Sequence, residues 1–357
     1  YVNGTWTQDA NAKDTVTRKT EGDNTLSLTK TAEKTGDNTY NITLKVVSTQ
    51  TETTTKPGSA ATVLVMDVSG SMDICATCNN SEQHSDLLGN YWYEHSKNCK
   101  TGKTGTVEYS ETRLKAAKDA AYNFILSYSG AVIEDGKVTG LKENANDGLG
   151  RYVSVVSFST DSSVACEWKD VSTADGYNAV KAAIDGLKAD GGTNFEQGLS
   201  KAKSQLDNTT VKDIASKNVI ALTDGEPTYW GTNDYGGGNG KKCSETVYTK
   251  TKAAATNLKK TGAKLYTICF GAANEKIKEY DDGKYIHRTI TVGDFLKNKI
   301  ATLAAGGKTY AYNADNTTEL MTAFKAITSS ITEGIKTGTV LDPMGDHITV
   351  TSKPDNF

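Results

Sequence analysis

The stretch Ala61–Met72 reads ATVLVMDVSGSM and joins a short apolar run to a polar loop. The run Thr62–Met66 is unbroken and rich in β-branched residues, which is typical of a strand buried on both faces of a parallel sheet. The loop that follows places Asp67, Ser69 and Ser71 two positions apart. Ligand sites of open α/β sheets lie at the carboxyl ends of the strands. The stretch therefore predicts one third of a divalent-cation site.

The length and composition of the chain bound its class. At 357 residues it exceeds an average domain, so we expect two domains. Hydrophobic residues make up 36% and charged residues 23%, which is typical of a globular protein, and no run of about 18 apolar residues occurs. The net charge of -3 gives no reason to expect nucleic-acid binding. Because the chain begins at Tyr1 without a signal peptide, we interpret it as a mature or excised fragment.

The two ends of the chain have a different sequence pattern from its middle. Apolar and polar residues alternate in Thr25–Thr31 and in Tyr40–Ser48, so β-strands are expected within 1–57. The tail, 334–357, is predicted as strand, turn and strand. Neither end is long enough to bury a core alone. We therefore expect a discontinuous β-domain of residues 1–57 and 334–357, into which an α/β domain, 58–333, is inserted.

The middle of the chain alternates strand and helix patterns. Five apolar runs are candidates for buried strands: Thr62–Met66, Tyr152–Phe158, Asn218–Leu222, Lys264–Phe270 and Thr309–Tyr312. Val164–Trp168 is expected as an antiparallel edge strand. Helical periodicity occurs over Leu114–Tyr128, Val180–Leu187 and Leu320–Ile331. This alternation predicts a doubly wound, mostly parallel sheet with helices on both faces.

Two insertions interrupt the α/β pattern, at about residues 73–110 and 229–245. Both leave from the carboxyl ends of predicted strands, so we expect them to flank the Asp67 loop. Together they carry five aromatic candidates for ligand contact: Tyr91, Trp92, Tyr93, Tyr229 and Trp230. Trp and Tyr are enriched at binding hot spots. We therefore favour contact with a partner over the alternative that these rings form the core of the insertions.

The six cysteines are an even number and allow up to three disulfides. Cys75, Cys78 and Cys99 lie in the first insertion together with His84 and His95. These residues could bind a structural zinc ion. Because their spacing is irregular, a disulfide within the insertion is the preferred interpretation, and the zinc site is the alternative.

Two further loops complete the predicted cation site. Thr193 follows two glycines before a helical pattern, and Asp224 closes an apolar strand run. The predicted ligand set contains three hydroxyls and two carboxylates: Ser69, Ser71, Thr193, Asp67 and Asp224. An all-oxygen set with few carboxylates suits Mg²⁺, with Mn²⁺ and Ca²⁺ as alternatives. Two carboxylates against a dication leave the site near neutral and open to an acidic ligand group.

These motifs, Asp-x-Ser-x-Ser, Gly-Gly-Thr and Thr-Asp-Gly at three strand ends, resemble the metal-ion-dependent adhesion site of von Willebrand factor A domains. The resemblance covers roughly Ala60–Glu333. It implies that Ser69, Ser71 and Thr193 coordinate the metal directly. It also implies that the two aspartates act mostly through water and that a carboxylate of the partner completes the metal shell.

The flanks TYNITLKV and GTVLDPMG resemble those of Gram-positive pilus-tip and cell-wall adhesins, in which the A domain is inserted into an immunoglobulin-like stalk. This resemblance implies an extracellular location at the cell surface or pilus tip. It also implies a host extracellular-matrix or cell-surface protein as ligand and pilus backbone subunits as neighbours. Such stalks often carry an isopeptide bond, for which Lys30 or Lys45 is the candidate amine and Asp342 the candidate acid. On sequence alone an ordinary exposed lysine is the preferred interpretation, and the isopeptide bond is the alternative.

The sequence therefore predicts a metal-dependent adhesion module and not an enzyme. No Gly-x-Ser-x-Gly elbow occurs. The Asp-x-Ser-Gly of Asp67–Gly70 superficially resembles the Asp-Ser/Thr-Gly of aspartic proteases, but it has no second copy. The four histidines lie outside the strand-end loops that carry the motif. Two other functions stay open: a structural pilin or assembly module with a stabilising metal site, and carbohydrate binding through the aromatic insertions.

Overall fold

The computed structural model describes residues 13–19, 25–37, 39–49, 59–78, 81–88, 91–134, 137–141, 150–232, 234–281, 284–301 and 310–332. The strands there are β1 (Lys13–Lys19), β2 (Thr25–Gly36), β3 (Thr39–Thr49), β4 (Ala60–Asp67), β5 (Glu82–Ser85), β6 (Tyr91–Glu94), β7 (Ala131–Glu134), β8 (Lys137–Leu141), β9 (Arg151–Phe158), β10 (Ser162–Asp170), β11 (Ser216–Thr223), β12 (Tyr229–Gly231), β13 (Gly236–Gly238), β14 (Lys264–Phe270), β15 (Lys276–Asp281), β16 (Lys284–Thr291) and β17 (Ala311–Ala314). The helices are α1 (Arg113–Ser129), α2 (Ala174–Asp185), α3 (Phe195–Leu206), α4 (Glu245–Lys259), α5 (Val292–Phe295) with a π-helical turn Leu296–Ile300, and α6 (Thr317–Thr332).

Six strands form the central sheet, in the order β10-β9-β4-β11-β14-β17. Neighbouring strands are parallel from β9 to β17, and β10 pairs antiparallel with β9. The predicted mostly parallel sheet and its antiparallel edge strand are therefore confirmed. Strand β4 lies inside the sheet between β9 and β11, which explains why its sequence is apolar at successive positions.

Two hydrophobic cores lie on the two faces of this sheet. Leu64 and Met66 of β4 belong to the core that α1, α2 and α6 cover. Val63 and Val65 belong to the core that α3 and α4 cover. Because successive side chains of a strand point to opposite faces, one apolar run serves both cores. The helices therefore lie on both faces, as a doubly wound sheet requires.

Helix α1 is fixed at both ends by local chemistry. The side-chain oxygen of Thr112 accepts a hydrogen bond from the backbone N–H of Lys115 and caps the N-terminus. Gly130 follows the helix with a φ of 74°, in the left-handed conformation that favours glycine. Thr112 also makes an isolated β-bridge with Cys75. This start point places Arg113, the first helical residue, near the loop that follows β4.

Gly198 allows α3 to pack closely on the sheet. A Cβ atom at this position would lie 2.8 Å from Cδ1 of Phe158 and 3.1 Å from Cγ1 of Val65. We expect Gly198→Ala to lower the free energy of unfolding by about 1–3 kcal/mol in urea denaturation, because the helix must move away. The matched control is Gly186→Ala, whose Cβ would meet its nearest atoms at 3.5 Å. Equal stabilities of the two variants would contradict this view of the packing.

The N-terminal strands form a separate antiparallel sheet in the order β1-β2-β3. Strand pairing here agrees with the strands expected from Thr25–Thr31 and Tyr40–Ser48. Residues 334–357 lie outside the described part of the chain, so the discontinuous immunoglobulin-like domain stays a prediction. Lys30 lies on β2, while Asp342 lies outside the described residues, and the isopeptide bond is likewise a prediction.

Several boundaries differ from the sequence prediction. Strand β17 spans Ala311–Ala314 and not Thr309–Tyr312, and α2 ends at Asp185, before Leu187. The antiparallel hairpin of β15 and β16, which follows β14, was not predicted. In the two expected insertions, the structure has the hairpins β5–β6 and β12–β13. No helix in the described ranges combines the length and apolar character needed to cross a membrane.

Candidate functional site

The carboxylate of Asp67 is held between two neighbouring strand ends. Asp67 is the last residue of β4 and is fully buried. The backbone N–H of Ser69 donates to its Oδ1 at 2.8 Å, and the Thr223 hydroxyl donates to its Oδ2 at 2.7 Å. Thr223 ends β11, the strand next to β4. The carboxylate therefore has a fixed orientation at the carboxyl edge of the sheet.

A series of contacts runs from this carboxylate to Asp224. The hydroxyl oxygens of Ser69 and Ser71 lie 3.0 Å apart. The Ser71 hydroxyl donates to Oδ1 of Asp224 at 2.7 Å. Four of the five residues in the predicted ligand set thus form one connected group, from the ends of two adjacent parallel strands.

The loop that carries Thr193 packs against the Asp67 loop. The backbone N–H of Gly70 donates to the carbonyl of Gly191 at 2.9 Å. Gly191 has a φ of 75°, which glycine adopts without strain. The N–H of Thr193 donates to the Thr228 hydroxyl at 2.9 Å, and Thr193 is buried. The three predicted loops therefore meet at one edge of the sheet.

Arg113 is a member of this group that the sequence prediction missed. Its guanidinium donates to Oδ2 of Asp224 at 2.8 Å. Arg113 is 2% exposed and Asp224 1% exposed, so this ion pair is shielded from water. Thr223, which donates to Asp67, was also missed as a contact, although it belongs to the Thr-Asp-Gly motif. Each of the two aspartates of the predicted ligand set is thus oriented by a side chain outside that set: Asp67 by Thr223 and Asp224 by Arg113.

Burial changes the protonation of the group. Loss of solvation raises the pKa of Asp67 to about 7, and the nearby charge of Asp224 acts in the same direction. Hydrogen bonds from Ser69 and Thr223 oppose the rise. A cation beside the two carboxylates would favour the ionised form of both. The donor set, which consists of hydroxyl and carboxylate oxygens, fits a hard divalent cation.

Three candidate aromatic residues lie on β6, close to the Asp67 loop. Tyr91 and Trp92 are each 37% exposed, while Tyr93 is half-buried. The Tyr91 hydroxyl donates to Oδ1 of Asp190 at 3.3 Å, at the start of the loop that carries Thr193. These rings border a cleft of about 220 Å³ with Asp73. Tyr91 therefore links the first insertion to the predicted cation site.

The other two candidates, Tyr229 and Trp230, are half-buried. The Tyr229 ring lies so close to Gly192 that a Cβ there would be 2.3 Å from the ring. The ammonium of Lys250 lies 5.1 Å from the centre of the Trp230 ring, which also packs against the core. Both rings thus support the loop structure, and their contact with a partner stays a prediction.

A known family profile matches part of the chain. Residues 100–226 match the family profile of the von Willebrand factor type A domain. The matched range contains Thr193 and Asp224 and begins after the Asp67 loop. No curated protein sequence matches the chain significantly.

Solved structures of a minor pilin are similar in fold to this chain. The PilB minor pilin from Streptococcus sanguinis is 18% identical with a TM-score of 0.52, covering 90% of this chain and 78% of that chain. A point mutant of that pilin is 19% identical with a TM-score of 0.52, covering 92% of this chain and 80% of that chain. The vWF domain of the type V pili tip protein Mfa5 from Porphyromonas gingivalis is 14% identical with a TM-score of 0.45, covering 79% of this chain and 98% of that chain. Residues 100–226 therefore resemble a von Willebrand factor type A domain, and the mostly parallel central sheet fits the fold of such a domain.

Proposed function

We propose that this domain is a metal-dependent adhesion module of a bacterial surface or pilus-tip protein. In this proposal the hydroxyls of Ser69, Ser71 and Thr193, with the carboxylates of Asp67 and Asp224, hold one Mg²⁺ ion directly or through water. A carboxylate of a protein ligand completes the metal shell. The observation that carries the proposal is the connected series of contacts from Asp67 through two serines to Asp224.

The charges of the group support an acidic ligand. When both aspartates are ionised, Arg113 leaves the group with one net negative charge. A bound dication changes this to one net positive charge, which attracts a carboxylate in a poorly hydrated site. Ser71 already donates its proton to Asp224 and can accept only from the Ser69 hydroxyl, so one lone pair of its oxygen is left for a metal. The site therefore favours binding of an acidic group, without a step of catalysis.

The cell-surface setting is part of the proposal. The similar fold of a minor pilin supports an extracellular role next to other pilus subunits. The ligand class we propose is a host extracellular-matrix or cell-surface protein. Its contacts would extend from the metal to Tyr91 and Trp92, each of which is 37% exposed.

Metal and ligand binding can be tested together with the Thr193→Ala variant. We expect this change to weaken Mg²⁺ binding by about 10–100-fold or more in isothermal titration calorimetry. Binding of the full chain to immobilised collagen, fibronectin and laminin is expected to require Mg²⁺ and to be lost in the variant. The matched control is Thr209→Ala, an exposed threonine outside the site.

The outcomes separate the competing functions. Binding that persists in EDTA, or a Thr193→Ala variant that binds as the wild type does, would contradict the proposal. Mg²⁺ binding that raises the melting temperature without any protein ligand would indicate a structural pilin module. Binding to a glycan array in EDTA, lost on Trp92→Ala, would indicate a carbohydrate site.

A further inference from the structure

A second group of metal-ligating side chains lies in the first insertion. The ligand atoms of Cys75, Cys78, His95 and Cys99 all lie within 4.8 Å of one another. In a tetrahedral zinc site, with Zn–S bonds of about 2.3 Å, neighbouring ligand atoms are about 3.8 Å apart. Cys75, His95 and Cys99 are buried, and Cys75 is only 2% exposed. The group therefore has the size and the shielding of a structural zinc centre.

The contacts within the group bring one imidazole nitrogen to the sulfurs. Nδ1 of His95 lies 3.2 Å from Sγ of Cys78 and 3.6 Å from Sγ of Cys99. The backbone N–H of Cys78 donates to Sγ of Cys75 at 3.4 Å. Such a donor within a Cys-x-x-Cys turn stabilises negative charge on the first sulfur. His84, the other histidine candidate, does not join and stacks on Trp92 with 5.8 Å between ring centres.

A carboxylate fixes the other side of the imidazole. Nε2 of His95 lies 3.0 Å from Oε2 of Glu111, which also accepts a hydrogen bond from the backbone N–H of Glu108. Lys103 forms an ion pair with the same carboxylate. Because a carboxylate only accepts, it holds the proton on Nε2 and leaves the lone pair of Nδ1 facing the sulfurs. Zinc-bound histidines are oriented by carboxylates in this manner.

We propose that the reduced thiols of Cys75, Cys78 and Cys99, with Nδ1 of His95, bind one structural Zn²⁺ ion. This centre is separate from the oxygen site at Asp67 and does not depend on the proposed function. The thiols give up their protons on binding, and no atom changes its oxidation state.

The structure joins Cys78 to Cys99 in a disulfide, which uses two of the same sulfurs. The two forms are therefore alternatives. The newly made chain carries thiols, so it takes up zinc without a reductant. The disulfide forms instead if an oxidant removes two electrons and two protons. The disulfide alone gives no role to Cys75 or to the lone pair on Nδ1 of His95, whereas the zinc centre uses both.

The position of the group indicates what the metal would do. The backbone of Cys75 forms the isolated β-bridge with Thr112, and the backbone N–H of Ala76 donates to the carbonyl of Glu111 at 2.8 Å. Glu111 and Thr112 immediately precede Arg113, the first residue of α1. The β5–β6 hairpin lies between Cys78 and His95 in sequence. Four protein ligands would thus fix the hairpin that carries Tyr91 and Trp92 to the start of α1, beside the candidate adhesion site.

The zinc content of the full chain, purified without chelator, tests the proposal. We expect one equivalent of Zn²⁺ per chain by mass spectrometry of the metal, and thiolate-to-cobalt charge-transfer bands after replacement by Co²⁺. Cys75→Ser is the informative variant, since Cys75 is free in the disulfide form. We expect it to weaken zinc binding by at least about tenfold. Cys166→Ser, which removes a buried thiol outside the group, is the matched control and should keep the zinc.

Two further measurements make the result decisive. Alkylation of the denatured, metal-stripped chain should modify all six cysteines if zinc was bound, and four if the disulfide had formed. Asp67→Asn should keep the zinc, because it changes only the oxygen site. The proposal is overturned if the chain carries no zinc and only four cysteines react. It is also overturned if Cys75→Ser keeps its zinc, or if zinc is lost in Asp67→Asn alone.

Discussion

Replacement of Arg113 by methionine is expected to lower the free energy of unfolding by about 3–5 kcal/mol in metal-free buffer. The guanidinium lies 2.8 Å from Oδ2 of Asp224, and both side chains are almost completely buried. A buried ion pair adds little net stability, but removal of one partner leaves an uncompensated charge in a poorly hydrated environment. Methionine keeps much of the side-chain length, so the lost charge dominates the effect. Urea denaturation in EDTA measures it.

Two control variants separate this effect from a general loss of charge. Lys115 lies two residues after Arg113 on the same helix and forms an exposed ion pair with Asp119. Lys115→Met removes this cation and is expected to change the free energy of unfolding by at most about 0.5 kcal/mol. The double variant Arg113→Met/Asp224→Asn removes both buried charges and is expected to recover much of the loss. If Arg113→Met and Lys115→Met were equally stable, the prediction that loss of Arg113 leaves a costly unpaired charge on Asp224 would be wrong.

Mg²⁺ connects this prediction to the proposed adhesion site. A cation at the site would supply the positive charge that Arg113→Met lacks. We therefore expect saturating Mg²⁺ to raise the melting temperature of Arg113→Met more than that of the wild type. The same rise in both proteins would argue against a metal ion in contact with Asp224.

The sequence was informative where a local pattern decides the structure. The run Val63–Met66 is apolar at every position because β4 lies inside the sheet and faces two cores. The hairpin β15–β16 could also have been recognised, since Asp282-Gly283 separates two alternating segments, a strong hairpin signal. In the Asp67 loop, the spacing of Ser69 and Ser71 predicted which side chains would meet.

Contacts between distant residues were not accessible in this way. A charged residue at the start of a helix normally faces water, so Arg113 was not included in the site. Its spacing from Ala117 and Phe124, both on the buried face of α1, was the available signal. His95 is separated from Cys78 by a hairpin, and only the fold of that hairpin brings its imidazole to the sulfurs. The partner of a buried polar group depends on tertiary packing, which periodicity does not encode.

Asp67→Asn is expected to stabilise the metal-free protein at neutral and higher pH. The pKa of this carboxyl is raised from 3.8 to about 7 in the folded state, first by burial and then by the charge of Asp224. The folded protein therefore keeps a proton that the unfolded chain has already lost above about pH 4. Stability consequently falls as the pH rises from about 4 to about 7, and then stays level. The rise in pKa corresponds to at most about 4 kcal/mol, which the neutral asparagine avoids.

The comparison of the two proteins isolates this group. Urea denaturation in EDTA at about pH 5, 6.5 and 8 should show a difference that grows with pH and favours Asp67→Asn. Burial also raises the pKa of Asp73 and Glu275, but both residues are present in wild type and variant, and their contributions cancel. Asp119→Asn, at an exposed carboxylate, is the control and should show no such growth.

Addition of Mg²⁺ should reverse the order of stability. The wild type gains stability from the ion, and this gain should decrease below about pH 7 because protons compete for Asp67. Asp67→Asn should gain little, since the amide cannot supply the negative charge. A natural sequence that keeps an aspartate at a buried position where asparagine is more stable is maintaining a binding group and not a structural one. A pH-independent difference between the two proteins, or an equal response to Mg²⁺, would contradict that assignment of Asp67.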